Sequence, residues 1–170
     1  MGNQIIVDSS GNGDYVSIGE AIENAQAETE ILIRQGLYQE AIILNKPLKI
    51  VGEGEINNII IETADSSCIL MQTDYAIVRG LTLRCSESVN QNKFSTVDIA
   101  QGKLLLEDCD ITSSSLCGIF ISGSQNNSII RRCKIHDNLS GIVISNNGLV
   151  NIENCDIYAN ARVGIVILEE

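Results

Sequence analysis

The side chains able to do chemistry in this chain are few. Three carboxylates, Glu107, Asp108 and Asp110, crowd into four positions and carry the oxygen donors that a hard cation takes. The one histidine, His136, stands in Ile-His-Asp-Asn138. Six cysteines lie between Cys68 and Cys155, a number that would allow three disulfides or a zinc site. No CxxC spacing occurs and a single histidine is available, so a structural zinc site is not expected. No cofactor is expected either.

Whether these residues form a site depends on the elements that carry them, and those are written as a repeat. Leu-Leu-Leu-Glu-Asp-Cys-Asp-Ile (104–111), Ser-Ile-Ile-Arg-Arg-Cys-Lys-Ile (128–135) and Val-Asn-Ile-Glu-Asn-Cys-Asp-Ile (150–157) superpose on Cys109, Cys133 and Cys155, at intervals of 24 and 22 residues. A second refrain, Gly118-Ile-Phe-Ile-Ser, Gly141-Ile-Val-Ile-Ser and Gly164-Ile-Val-Ile-Leu, recurs every 23 residues. Both alternate in the manner of strands, and this period suits a parallel β-helix with one repeat per coil. Equivalent residues then stack about 4.8 Å apart. The expected interior stacks are Val78, Leu106, Ile130, Ile152; Leu81, Cys109, Cys133, Cys155; and Leu83, Ile111, Ile135, Ile157. Asn138 over Asn160 and Ser122 over Ser145 supply polar ladders at the turns.

The outward positions test this register. Arg79, Glu107, Arg131, Glu153 form one row, and Thr82, Asp110, Lys134, Asp156 another, so charge alternates coil by coil. That alternation explains the three carboxylates without a metal, which is the reading taken here. The cysteines occupy inward slots used by Leu81 in the preceding coil and read as small apolar core residues rather than a disulfide framework. His136 falls one residue past Ile135 and reads as a surface side chain.

A third outward row, Leu70, Asp98, Phe120, Val143, Val166, is apolar at four of its five positions. A continuous apolar stripe marks an interface unless another part of the chain covers it. The polar stretch 86–93, which lengthens its coil to 28 residues between Leu81 and Cys109, is placed near enough to be that cover or simply to be a tolerated loop. The chain reaches its end at Val166-Ile-Leu-Glu-Glu170 within a coil, which leads to the expectation of a piece of a longer protein, self-association through the last coil, or both.

At the other end, Ser17-Ile-Gly-Glu20 reads as a capping box followed by Ile18, Ala21, Ile22 and Ala25 at helical spacing, a short plug over the first coil. The organisation expected is a single domain over 1–170, with strand and capping helix in 1–28 and coils in 29–170. A net charge of −11 argues against nucleic acid or anionic membranes as partners. No apolar run reaches 18 residues and no signal-peptide core is present, so a cytoplasmic protein is expected.

The opening Asp8-x-x-Gly-x-Gly-Asp-Tyr-x-Ser-Ile-x-Glu-Ala-Ile22, then Gly36-x-Tyr-x-Glu40 and the Val-Gly-x-Gly turn at 51–54, resembles the start of pectin methylesterases and of the wider pectin lyase-like superfamily. Beyond residue 55 the chain looks more like CASH/NosD-like repeats and bacterial β-helix modules attached to signalling kinases. The resemblance implies an all-β fold, a single-stranded right-handed parallel β-helix of about seven coils with a short N-terminal capping helix. It also implies a pectin-type chemistry that the motifs do not support. The nearest match to the Asp-Phe-Ile-Phe-Gly motif is Gly118-Ile-Phe-Ile-Ser122, with Gly118 in the place of the catalytic aspartate. No Gln-Asp pair and no Trp exist. Tyr38 and Glu40 remain as residues that a residual glycan site would use. The expectation is a non-catalytic scaffold or interaction module of a signalling protein, with Leu70, Phe120, Val143 and Val166 as the contact stripe. The alternative is a carbohydrate-binding or carbohydrate-active domain.

Overall fold

Each repeat is cut into three short strands by residues that bend the backbone, and equivalent strands of successive repeats pair in parallel. The computed structural model describes residues 2–169. Sheet A contains Gln4–Val7, Glu30–Arg34, Lys49–Glu53, Tyr75–Arg79, Lys103–Glu107, Asn127–Arg131 and Leu149–Glu153. Sheet B contains Gly36–Tyr38, Ile59–Thr63, Thr82–Cys85, Asp110–Ser113, Lys134–His136 and Asp156–Tyr158. Sheet C contains Ile42–Leu44, Ile69–Met71, Val97–Ile99, Cys117–Ser122, Ser140–Ser145 and Val163–Ile167. The result is a parallel β-solenoid of about seven turns, six of them complete.

The register is the one the repeats require. Val78 pairs with Leu106, Leu106 with Ile130 and Ile130 with Ile152, while Leu83, Ile111, Ile135 and Ile157 follow one another in sheet B. The bend from sheet A to sheet B is made by one residue with left-handed backbone: Gly80 (φ 74°), Asp108 (φ 50°), Arg132 (φ 51°) and Asn154 (φ 50°). Each stands directly before Leu81, Cys109, Cys133 or Cys155 and turns the chain so that the next side chain points inward. All six cysteines are free, and five are fully buried. Burial pushes the Cys68 thiol up to about 12. The Cys133 and Cys155 thiols are raised as well, each chiefly by a hydrogen bond to the sulfur one coil earlier.

The helix α1 (Ile18–Asn24) plugs the first coil with Ile18, Ala21 and Ile22, which pack into the same cluster as Val7, Ile42 and Leu44. Ser17 Oγ accepts from the Glu20 amide, one half of the expected capping box. The rest of the closure comes from the following coil. Glu40 accepts from the amides of Ile18 (2.7 Å) and Gly19 (2.9 Å), and Lys46 Nζ donates to the carbonyls of Ile22 and Ala25, both at 2.9 Å. An anion at the helix start and a cation at its end both oppose the helix dipole.

The long connection between sheets B and C in the third complete coil runs along their shared corner. Ser86 bonds to Thr63, Ser88 to Asp65, and the Phe94 amide to Ser115 Oγ, all corner residues of adjacent coils. In the last coil, inward residues are partly open, with Ile165 46% and Ile167 70% exposed. No helix among the described residues is long and apolar enough to cross a membrane.

Candidate functional site

Each strand of sheet C sets one outward side chain between two inward ones, as in Ile69-Leu70-Met71, Ile119-Phe120-Ile121 and Ile142-Val143-Ile144. That row is Ile43, Leu70, Asp98, Phe120, Val143, Val166, each paired in register with the next. At about 4.8 Å per coil it extends roughly 24 Å. Ile43 extends by one coil the stripe expected from sequence, and the other five members are half-buried. A rim of hydrogen-bonding groups, Gln72, Ser122 and Ser145, follows it along one edge. The corner loop 86–93 bonds to the neighbouring corners and to none of these side chains.

Within the row Asp98 is the anomaly. Its carboxylate has no hydrogen bond or ion pair among the described residues, and burial raises its pKa above the ordinary 3.8. Leu70 and Phe120 are its register neighbours on either side. At this half-buried position water is its partner, and a cover that removes the water without replacing its hydrogen bonds would be costly.

The three neighbouring carboxylates of the sequence are paired. Glu107, expected as an outward member of an alternating row, is only 3% exposed and takes Arg131 at 2.7 Å and Arg132 at 2.8 Å. Asp108 takes Arg132 Nε at 2.8 Å, and that hydrogen bond holds its carboxyl below the usual range. Asp110 turns to His136 Nε2 at 3.0 Å. The three carboxylates are thus divided among different cations, and among the described residues no group of three or more His, Cys, Asp and Glu side chains can hold a metal ion. His136 faces outward as expected but is half-buried: it is 16% exposed, bonded also to Asp137 at 2.6 Å, and stacked on Tyr158 with ring centroids 4.8 Å apart and planes 7° from parallel. The cause is register, which lays Tyr158 directly over it.

Tyr38 and Glu40 are both engaged within the fold. Tyr38 is 3% exposed, inward in sheet B beside Ile61, with its hydroxyl donating to the Arg34 carbonyl at 2.9 Å and accepting from the Ser9 amide at 3.2 Å. Both oxygens of Glu40 are committed to the start of α1. The family-like spacing of these two residues is explained by packing and capping.

Sequence reasoning missed a second apolar face. On sheet A, Ile6, Leu32 and Val51 stack in one outward row, and Ile77, Leu105 and Ile129 in the other. The apolar band therefore crosses between rows at Val51 and Ile77, which hides it from any search along a single row. Alternation of apolar side chains on both sides of Leu32 and Leu105 was its one available signal.

Gly118 also acquires a physical explanation. A Cβ there would meet the Gly141 carbonyl at 2.9 Å and Asn138 Nδ2 and Ile135 Cγ2 at 3.0 Å. Asn138 in turn reaches Asn160 Oδ1 through its amide nitrogen at 2.8 Å, so the asparagine ladder fills this inner corner. An aspartate at 118 would be driven into the interior rather than displayed.

A family model described as right handed beta helix region matches residues 55–170, more than half of the chain. Among curated proteins none matches. Among solved structures, a pectin methylesterase mutant in complex with a hexasaccharide is similar with a TM-score of 0.59 and 17% identity, over 91% of this chain and 67% of that one. At that identity the likeness is one of fold. The family match and the solenoid together place the chain in the right-handed beta helix family, with the architecture of the pectin lyase-like type.

Proposed function

We propose that this chain is a non-catalytic recognition module that serves as a scaffold or interaction part of a multidomain signalling protein, and that its ligand docks along the outer face of sheet C. The observation that carries this reading is the row from Ile43 to Val166: apolar side chains aligned over six coils around one carboxylate that has no protein partner among the described residues. Surfaces of this kind are costly to leave in water and are stabilised by a partner. The non-catalytic reading is supported by the packing at Gly118, where an added side chain would meet the Gly141 carbonyl, Asn138 and Ile135. Six free cysteines fit a reducing compartment such as the cytoplasm.

One observation favours a second reading, carbohydrate binding. The aromatic face of Phe120 beside the acceptor oxygens of Asp98 is a pairing that a neutral sugar ring can use. An acidic glycan of the pectate type would meet both Asp98 and a net charge of −11, and is disfavoured by repulsion.

The test is a selection of binders from a peptide display library and from a panel of neutral and acidic glycans, each followed by titration against Phe120→Asp, Val143→Asp and, on the opposite face, Arg84→Ala. Peptide binders lost in the first two and kept in the third support the module. Binding of a neutral glycan with the same pattern replaces it with the carbohydrate reading. Binders indifferent to Phe120 and Val143 refute the docking face itself.

A further inference from the structure

Resting on that docking face, we infer that its occupant is an amphipathic α-helix carrying one basic side chain in a run of apolar ones. The charge argument comes first. Asp98 is third of six in the row, followed on one side by Leu70 and Ile43 and on the other by Phe120, Val143 and Val166. Covering the row with a purely apolar surface would strip water from this carboxylate without replacing its hydrogen bonds, a penalty larger than a single apolar contact returns. A second copy docked through the same face has nothing better to offer. A two-fold arrangement of this row sets Asp98 opposite Phe120 of the other copy and brings two unpaired carboxylates within about two coil spacings of each other. A partner with a lysine or arginine at that one point satisfies the charge and leaves the remaining contacts apolar.

The spacing then selects the secondary structure. The row repeats every 4.8 Å or so, set by strand pairing. A helix lying along it presents one side chain per turn at about 5.4 Å, a mismatch that grows to roughly 3 Å over the five intervals. An extended strand along the row presents same-side residues every ~6.7 Å, and its mismatch reaches about 10 Å. The row is therefore matched by about 18 residues of helix, apolar at successive turns, with the basic residue in the turn over Asp98: two apolar turns to one side of it and three to the other.

The rise of the Asp98 pKa with burial fits this assignment, since a site built for a cation gains its charge back when the cation arrives.

Four synthetic peptides decide the matter, titrated by calorimetry or fluorescence anisotropy against the folded protein. One is an 18- to 19-residue helix with leucine at five turns and lysine at the third; two siblings carry norleucine or glutamate in place of the lysine; the fourth is the lysine peptide with two prolines introduced to prevent the helix. The lysine peptide should bind at least tenfold more tightly than the norleucine peptide. That preference should vanish in Asp98→Asn and turn towards the glutamate peptide in Asp98→Lys, with circular dichroism verifying that both variants are folded. Equal affinity for lysine and norleucine peptides, both lost in Phe120→Asp, overturns the cation assignment and leaves the docking face standing. Equal binding by the proline peptide overturns the helix. Binding untouched by Phe120→Asp, or no binding by any of the four, overturns the inference, and the first of these also removes the face on which it rests. A concentration-dependent dimer that Asp98→Lys abolishes would replace the helix with a second copy.

Discussion

The outer faces of sheets B and C cover the same interior of stacked isoleucines, yet they treat charge in opposite ways. On sheet B, His136 engages Asp110, Asp137 and Tyr158 across three coils, and Lys134 stands in register between Asp110 and Asp156. On sheet C a single carboxylate stands among Leu70, Phe120 and Val143 with no partner. Around His136 the polar groups satisfy one another, whereas Asp98 relies on water, so covering it without a replacement carries a cost. The contrast arises because both faces are built on the same coil spacing, so the difference lies wholly in which side chains register places side by side.

The comparison can be tested from the inside outwards. Beneath both faces the interior should be equivalent: Ile135→Ala under sheet B and Ile121→Ala under sheet C, both fully buried, should each cost about 2–5 kcal/mol in urea unfolding. A large inequality would mean that one face depends on its outer row for stability. At the corner where the faces meet, Gly141→Ala should cost roughly 1–3 kcal/mol, since its Cβ would lie 2.3 Å from the Gly164 carbonyl.

The outer rows should then diverge. Asp110→Ala, which strands His136, should destabilise by about 1 kcal/mol or less, and the loss should shrink in high salt. Asp98→Ala should leave thermal stability unchanged or raise it, as no bond is lost and a desolvated charge is removed.

Acid titration gives the smallest effect and the sharpest distinction in sign. The folded pKa of Asp98 is raised above 3.8, so the native state takes up this proton first: wild type gains on Asp98→Asn as pH falls through the window just above 3.8, and loses that gain as pH rises again. Asp108 is lowered by its hydrogen bond from Arg132, so its contribution is present above 3.8 and disappears as pH falls below it. Melting temperatures of wild type, Asp98→Asn and Asp108→Asn between pH 2.5 and 6 should show these opposite trends. Parallel curves for the two variants would mean that Asp98 is not the isolated group the face requires.

The order in which these features can be read is instructive. The refrains around Cys109, Cys133 and Cys155 contain the coil, the interior stacks and the row through Phe120, because a residue in a solenoid meets its own equivalent one period away. Ile18, Ala21 and Ile22 likewise announce a helix with one apolar side. The role of Glu40 is not readable that way. It caps a helix 22 residues earlier in a part of the chain where no refrain sets the period, and the same is true of Lys46. Tyr38 looks like a ligand-binding residue until the fold turns it inward. His136 looks exposed until Tyr158 is laid over it.

What the sequence determined by itself is therefore the repeat and everything that repeats with it: strands, stacks, buried thiols and the apolar row. Only the tertiary structure decided which charged groups find partners. Periodicity says that Asp98 and Asp110 both face outward, but whether a carboxylate is satisfied depends on the side chains that bends and loops bring within about 3 Å of it, and those come from other coils at separations that no single period encodes.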